Sequence, residues 1–177
     1  MSIDDLARYV GRTPAENADV ARVRALLTDP DPWRRELPLH VTASALIVHP
    51  PTRRVLLRWH VRQQAWLMVG GHGDPGETDP VAIAIREGEE ETGLTDLHPW
   101  PAPDLMQVVI VSVPAALHEP AHEHADIRYV LATDRPDEAS PENPAAELRW
   151  LTIPEAHALT GEENVRDLLA RVSPLFP

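Results

Sequence analysis

The spacing of apolar positions changes period several times along this chain. Leu6, Val10, Val20, Val23, Leu26 and Leu27 recur close to every 3.6 residues, which predicts helix over residues 3–28 with a break around Gly11–Pro14. Thr13 before Pro14 is a cap for the second of these helices, and the run Asp29–Pro32 ends it. From His40 to Val48 the pattern shortens to alternation rich in β-branched residues, and Arg54–Trp59 repeats it; residues 50–53 (PPTR) are the hairpin turn between two strands. Trp66–Val69 leads into a glycine-rich loop. A helix follows, with Asp79 as its cap, Pro80 at its first position, an apolar run Val81–Ile85 and a stop at Gly93.

Beyond that helix, Pro99, Pro101 and Pro103 mark an irregular connection. Met106–Val113 and Ile127–Ala132 read as strands joined by an insertion over 114–124, Leu148–Leu151 as a short strand, Ile153–Leu159 as a short helix and Glu163–Val172 as a terminal helix. Strands, a helix, more strands and a closing helix predict an α+β fold, an α/β/α sandwich on a mixed sheet. Residues 38–177 form that domain in this reading, and residues 1–37 are a helical N-terminal extension packed on it.

Composition narrows the chemistry. The chain has 177 residues, enough for one domain with a full core, and no cysteine. Disulfides, thiolate zinc sites and cysteine nucleophiles are therefore excluded. A net charge of −12 argues against broad nucleic-acid binding, and all the basic residues other than histidine are arginine. No apolar run approaches the length of a membrane span and the N-terminus lacks signal-peptide order, so the expectation is a soluble, cytoplasmic protein, a monomer or homodimer.

The segment Gly70–Leu94 (GGHGDPGETDPVAIAIREGEEETGL) is the most informative in the chain. At about 100° per residue, Glu87, Glu90 and Glu91 stand at i, i+3 and i+4 on one helical face. Val81, Ile85, Gly88 and Thr92 lie on nearly the opposite face, towards the core. Three like charges side by side repel, and a hard divalent cation between them reverses that term. Glu89 points away from this face, to solvent.

The same segment resembles the Nudix box, G-x5-E-x7-R-E-U-x-E-E-x-G-U with U aliphatic. Gly71 and Glu77 match its opening, and Arg86, Glu87, Glu90, Glu91, Gly93 and Leu94 its closing block. Trp66 and Gly70 fit the approach common in the family. The chain departs from the pattern in three places: eight residues separate Glu77 from Arg86, Gly88 fills an aliphatic position, and Val69 stands where proline often precedes the glycines.

The resemblance implies a Nudix fold and an Mg²⁺- or Mn²⁺-dependent hydrolase. Its substrate would be a small molecule, a nucleoside diphosphate linked to another moiety, split at the diphosphate. By the same resemblance Glu87, Glu90 and Glu91 are metal ligands with the Gly70 carbonyl, and Arg86 holds Glu77 as an organising ion pair. The general base stays open between Glu87 and a later loop acid, of which Glu142 is the first choice and Glu119, Glu123 and Glu138 are alternatives. A non-catalytic Nudix-like sensing or scaffold domain is the other reading; the isomerase on this fold that acts on isopentenyl diphosphate needs a cysteine that is absent here.

Phosphate contacts are assigned to Arg128 and to the cluster Arg58, His60 and Arg62, with His72 as a further donor beside the glycines. Alternation puts His124, Asp126 and Arg128 towards a cleft or solvent, and Ala125, Ile127, Tyr129 and Leu131 in the core. His122 and His124 face one way, but no third ligand is spaced with them in sequence, so they are not read as a metal pair. Pro99–Pro103 (PWPAP) matches only part of the proline-rich signature of NADH-cleaving Nudix enzymes.

Overall fold

The computed structural model describes residue 6, residues 8–116 and residues 120–177. Its elements run α1 (Pro14–Leu26), β1 (Leu39–His49), β2 (Arg54–His60), β3 (Ala65–Leu67), β4 (Val69–His72), α2 (Pro80–Thr92) and β5 (His98–Pro99). They continue with β6 (Gln107–Val113), β7 (His122–Ala132), β8 (Leu148–Thr152), α3 (Ile153–Leu159) and α4 (Glu163–Val172). No helix among the described residues is long and apolar enough to cross a membrane.

The eight strands form one mixed sheet in which long strands divide an edge between two shorter partners. β1 runs parallel to β7 along nearly its whole length. Its other edge pairs with β4 at Thr42–Ala45 and then with β2 at Ile47–His49. The sheet therefore splits beside Leu46, and the glycine-bearing strand is held at the split.

Side-chain alternation explains the layers. On one face Val41, Ala43, Ala45 and Ile47 of β1 meet Ala125, Ile127, Tyr129 and Leu131 of β7, covered by Val81, Ile83 and Ala84 of α2 and by Val20 and Val23 of α1. On the other face Leu46, Val48, Val130 and Ala132 pack under Val165, Leu168, Leu169 and Val172 of α4. This is the α/β/α sandwich expected from the order of elements. The first halves of β1 and β7 break the second apolar face: His40, Thr42 and Ser44 stand beside His122, His124, Asp126 and Arg128. They line a cavity of about 260 Å³ (His40 excepted), along with Gly70, Gly71 and His72.

Two corrections to the sequence reading follow. Gly70 and Gly71 are not in a loop; they sit within β4, opposite Ser44 and Ala43, and the loop begins after His72. The strand before Ala132 starts at His122 rather than Ile127, because parallel pairing with β1 from Leu39 onward orders what looked like an insertion. Part of that insertion, including Glu119, lies outside the described residues.

The N-terminal helix has a defined task. Glu16 and Asp19 of α1 accept hydrogen bonds from the backbone N–H groups of Val108 (3.1 Å) and Ile110 (3.0 Å) on β6. Carboxylates thus occupy donors of an edge that would otherwise invite another strand.

Candidate active site

Local chemistry places α2 where the sequence indicates. The Asp79 side chain accepts from Val81 N–H at 3.0 Å, Pro80 takes the first turn, and Gly93 closes the helix at φ +67°. Gly88 is buried in mid-helix, and a Cβ built there would lie 2.8 Å from Leu97 Cδ1 and 3.7 Å from Ile47 Cδ1. The glycine is there because the helix approaches its neighbours too closely for a side chain.

The outer face of α2 then meets β4. Gly70 adopts φ +149°, and a Cβ on it would lie 2.5 Å from Ser44 Cα; one on Gly71 would lie 2.6 Å from the Glu87 carboxylate. The paired glycines let β4 fit between β1 and the carboxylates. Gly70 N–H donates to Glu91 Oε2 at 3.2 Å, and Arg58 from β2 reaches Glu91 Oε1 at 3.0 Å.

Arg86 organises the remaining acids. Its guanidinium donates to Glu77 through Nε (3.1 Å) and Nη2 (2.9 Å), to Glu87 (3.1 Å) and Glu90 (3.0 Å) through Nη1, and to the His72 carbonyl at 2.8 Å. The Glu77–Arg86 pair forms despite the extra residue between them, since Glu77 lies in the loop before the helix. Hydrogen bonds from Arg86 and from Asp74 N–H hold the Glu77 carboxyl below the usual range. Burial pushes Glu87 up, against the opposing pull of Arg86. Burial pushes Glu91 up to about 7, with Glu87 and Glu142 adding to the rise and Arg58 and the Gly70 N–H opposing it. Four carboxylates thus pair directly with two guanidinium groups, and Arg35 adds a longer-range pull on Glu87.

Glu142 comes close to this cluster through its loop. Its backbone N–H reaches the Glu91 carbonyl at 3.4 Å, next to a 2.7 Å bond from Ser140 N–H to Thr92 O. The other loop acids are elsewhere: Glu123 pairs with Arg22 and Glu138 with Arg135.

The arginines assigned to phosphate separate into different roles. Arg58 is turned to Glu91 and mostly buried. Arg128 is at the cavity wall, but its Nε donates to Asp126 at 2.7 Å and its Nη1 to Gln107 and Asn164, both at 2.9 Å. Its charge is therefore largely committed to the fold, unlike the open cation the alternation suggested. Arg62 is exposed at the cavity mouth beside His60. Burial, with help from Arg58 and Arg62, pushes the His60 imidazolium towards its neutral form.

His72 belongs to the cavity and also to a group unseen in the sequence. Its Nε2 is 3.0 Å from His40 Nε2, and His122 and His124 contact each other likewise at 3.0 Å. The third ligand missing from the linear spacing comes from β1 and β4. The signal for it was present: polar residues at alternate positions of both His40–Ser44 and His122–Arg128, in otherwise apolar strands. Burial, reinforced by His72 and His40, pushes His124 down to about 3.

Geometry and sequence agree with what comparison finds. A family model described as the NUDIX domain matches residues 38–172. The chain belongs to that family, and with it to the pyrophosphohydrolases as a class of enzyme. Among solved structures it resembles an Ap4A hydrolase binary complex from C. elegans at 20% identity, covering 76% of this chain and 95% of that one with a TM-score of 0.59. It also resembles the E. coli dihydroneopterin triphosphate pyrophosphohydrolase (21% identity, 78% and 96% coverage, TM-score 0.56). A third is RenU, a Nudix hydrolase from M. smegmatis (22% identity, 78% and 88% coverage, TM-score 0.57). At these identities the structures attest the fold. No curated protein matches the chain in sequence.

Proposed function

We propose that this chain is an Mg²⁺- or Mn²⁺-dependent hydrolase that splits the diphosphate linkage of a nucleoside diphosphate joined to a further moiety. The observation that carries the reading is the acid excess on α2: Glu87, Glu90 and Glu91 gathered against β4, with Arg86 and Arg58 as their ion-pair partners among the described residues and Arg35 acting on Glu87 from further off. The donor set fits a hard cation, being carboxylate oxygen, and burial that pushes the Glu91 carboxyl up to about 7 is a cost that a bound cation would offset. Glu87, Glu90, Glu91 and the Gly70 carbonyl would hold the metal. When bound, such a cation neutralises a diphosphate and makes a coordinated water more acidic.

The chain's own groups have separable tasks in this reading. Arg86 orients three box carboxylates and, through the His72 carbonyl, the strand that faces them. Glu77 anchors Arg86. Glu142, beside Glu91, and Glu87 are the two groups positioned to take a proton from the attacking water. Arg62, His60 and His72 line the cavity where the substrate's phosphates and attached moiety would bind, Arg128 shapes its wall, and Arg58 holds Glu91. Residues 38–177 are the hydrolase domain, and residues 1–37 are an extension whose helix α1 covers the β6 edge.

The test is a panel of nucleoside diphosphate derivatives assayed with and without Mg²⁺ or Mn²⁺, with products identified by mass. Metal-dependent release of two phosphorylated products from at least one compound is expected. Hydrolysis unaffected by chelation would overturn the metal assignment, and no turnover across the panel would overturn the substrate class.

A further inference from the structure

The second face of the sheet carries side chains that the carboxylate chemistry leaves unused. Parallel pairing puts His40 of β1 directly beside His124 of β7, and antiparallel pairing puts His72 of β4 opposite Thr42. Since Thr42 follows His40 by two residues, and His122 precedes His124 by two, all four imidazoles share one face. Ring centroids of His40 lie 5.0, 5.2 and 4.9 Å from those of His72, His122 and His124, and the His72–His124 separation is 4.7 Å.

Two of the four, His40 and His122, have their outer nitrogen committed. His40 Nδ1 is 2.9 Å from the Leu37 carbonyl, and His122 Nδ1 is 2.9 Å from the Pro120 carbonyl. A carbonyl only accepts, so each Nδ1 carries the proton, and each neutral ring presents the Nε2 lone pair inward. Among the three rings that converge, His40 is held as metal-binding histidines commonly are, with the remote N–H on a backbone carbonyl fixing tautomer and orientation.

We propose that His40, His72 and His124 form a binding site for one borderline divalent transition cation, Zn²⁺ in the first instance, separate from the carboxylate site. One ligand nitrogen from each of the three lies within 4.8 Å of the others. A tetrahedral zinc with bonds of about 2.0–2.1 Å asks for nitrogens about 3.3 Å apart, a change small enough for side-chain rotation. An all-imidazole set selects Zn²⁺ and its neighbours over Mg²⁺, whereas the oxygen set on α2 selects the reverse. Three strands supply the ligands, so the ion would clip β4, β1 and β7 together at the cavity end of the sheet. His72 and His124 line the cavity, and His122, whose Nε2 is 3.0 Å from that of His124, or a solvent oxygen would complete the shell. Because the His72 carbonyl accepts from Arg86, the clip would also steady the strand between the two sites.

The competing account is two imidazole pairs, each sharing one proton across a 3.0 Å contact. Chelator-treated full-length protein titrated with Co²⁺ and with Zn²⁺ separates the two. Expected are one nitrogen-ligated Co²⁺ per chain, seen by its visible absorption and displaced by Zn²⁺ but not by excess Mg²⁺, and a rise in Tm with Zn²⁺. His72→Gln and His124→Gln, checked for folding by circular dichroism, should each weaken binding at least about a hundredfold. A Glu90→Gln/Glu91→Gln double variant should keep the absorption, which makes the outcome independent of the hydrolase assignment. Absence of the band in the unmutated protein overturns the proposal whatever the variants do. So does a band unchanged in both histidine variants, or one lost with the two glutamates.

Discussion

Two clusters of glutamate and arginine in this molecule use the same side chains to opposite ends. In the first, Glu16 of α1 accepts from Tyr9 Oη (2.6 Å), Arg12 N–H (2.7 Å), Val108 N–H (3.1 Å) and both Nη atoms of Arg171 (3.0 and 2.8 Å). One carboxylate thus receives five donors. Burial alone would raise Glu16, but hydrogen bonds from Arg171, Tyr9 and the backbone outweigh it and hold the carboxyl down at about 2. In the second, four box glutamates share Arg86 and Arg58, and Glu91 rises to about 7. Arg171 is shared with Asp167, so the charge ratio does not separate the two clusters. The number of donors on one carboxyl does: five on Glu16 against one backbone N–H and one guanidinium on Glu91. That makes the first a lock and leaves the second room for a cation.

The largest expected effect is on catalysis. Glu91→Gln keeps the size of the side chain and removes its charge, and should lower kcat/KM by about a thousandfold or more, equivalent to about 4 kcal/mol. Stability of the metal-free protein should fall by less than catalysis does: the change removes one side of the mostly buried Arg58–Glu91 pair, but a Glu91 carboxyl at about 7 is only partly charged at neutral pH. Kinetics on the panel's best substrate, with denaturant melts alongside, check both halves. Near-normal turnover would show that the second cluster is as structural as the first.

The complementary change is Glu16→Gln. It leaves the buried Arg171 charge with only the more exposed Asp167 as counter-charge, and one-sided removal of a buried pair costs up to about 3–5 kcal/mol. For a chain of this size Tm should fall by on the order of 10 °C while activity at low temperature is retained. The pH dependence has a definite sign. Glu16 is held below its unfolded value of about 4.5, so its contribution is fully present above that pH. It is lost as pH falls from about 4.5 towards 2, and the Gln variant should lose that segment of the stability curve. A wild-type curve flat across this window would refute the lock.

How much of this was legible beforehand depends on the range of the interaction. Asp79, Pro80 and Gly93 bound α2 by contacts within a turn, so the helix and its acidic face could be read from spacing alone. Glu77 and Arg86 are near enough in sequence for a motif to link them. Arg171 and Glu16 are separated by most of the chain, and neither position signals the other. The pairing of Arg58 with Glu91 needs the split edge of β1, which is a property of sheet register. His40 escaped, and His72 was read only as a phosphate donor, for the same reason: only the β1–β4 and β1–β7 registers bring them beside His124.

A smaller effect probes the cation itself. Binding to the native state stabilises by RT ln(1 + [L]/Kd), about 2.7 kcal/mol at a hundredfold excess over Kd. Saturating Mg²⁺ or Mn²⁺ should therefore raise Tm by several degrees, and the Glu90→Gln/Glu91→Gln variant should lose the rise. Glu16→Gln should keep it, starting from a lower Tm. An equal rise in the double variant would move the Mg²⁺ site off α2.

Gly88 offers the finest test, because it sets how closely the open cluster lies to the sheet. An alanine there gains about 1 kcal/mol in helix propensity. Its methyl, however, would meet Leu97 Cδ1 at 2.8 Å, and Leu97 is a flexible side chain that can yield. The two terms nearly cancel, so Gly88→Ala should change stability by less than about 1 kcal/mol. Gly88→Leu has no such outlet: with Val69 and Ile47 also against the site, overpacking should cost about 1–3 kcal/mol. Relief of either strain lifts α2 away from β4 and lengthens the contact between Gly70 and Glu91. Activity should therefore fall by more than stability does, several-fold in the alanine variant, with the Glu16 lock unchanged because it lies on α1. A stabilised, fully active Gly88→Leu variant would mean that the distance from α2 to the sheet does not govern the carboxylate site.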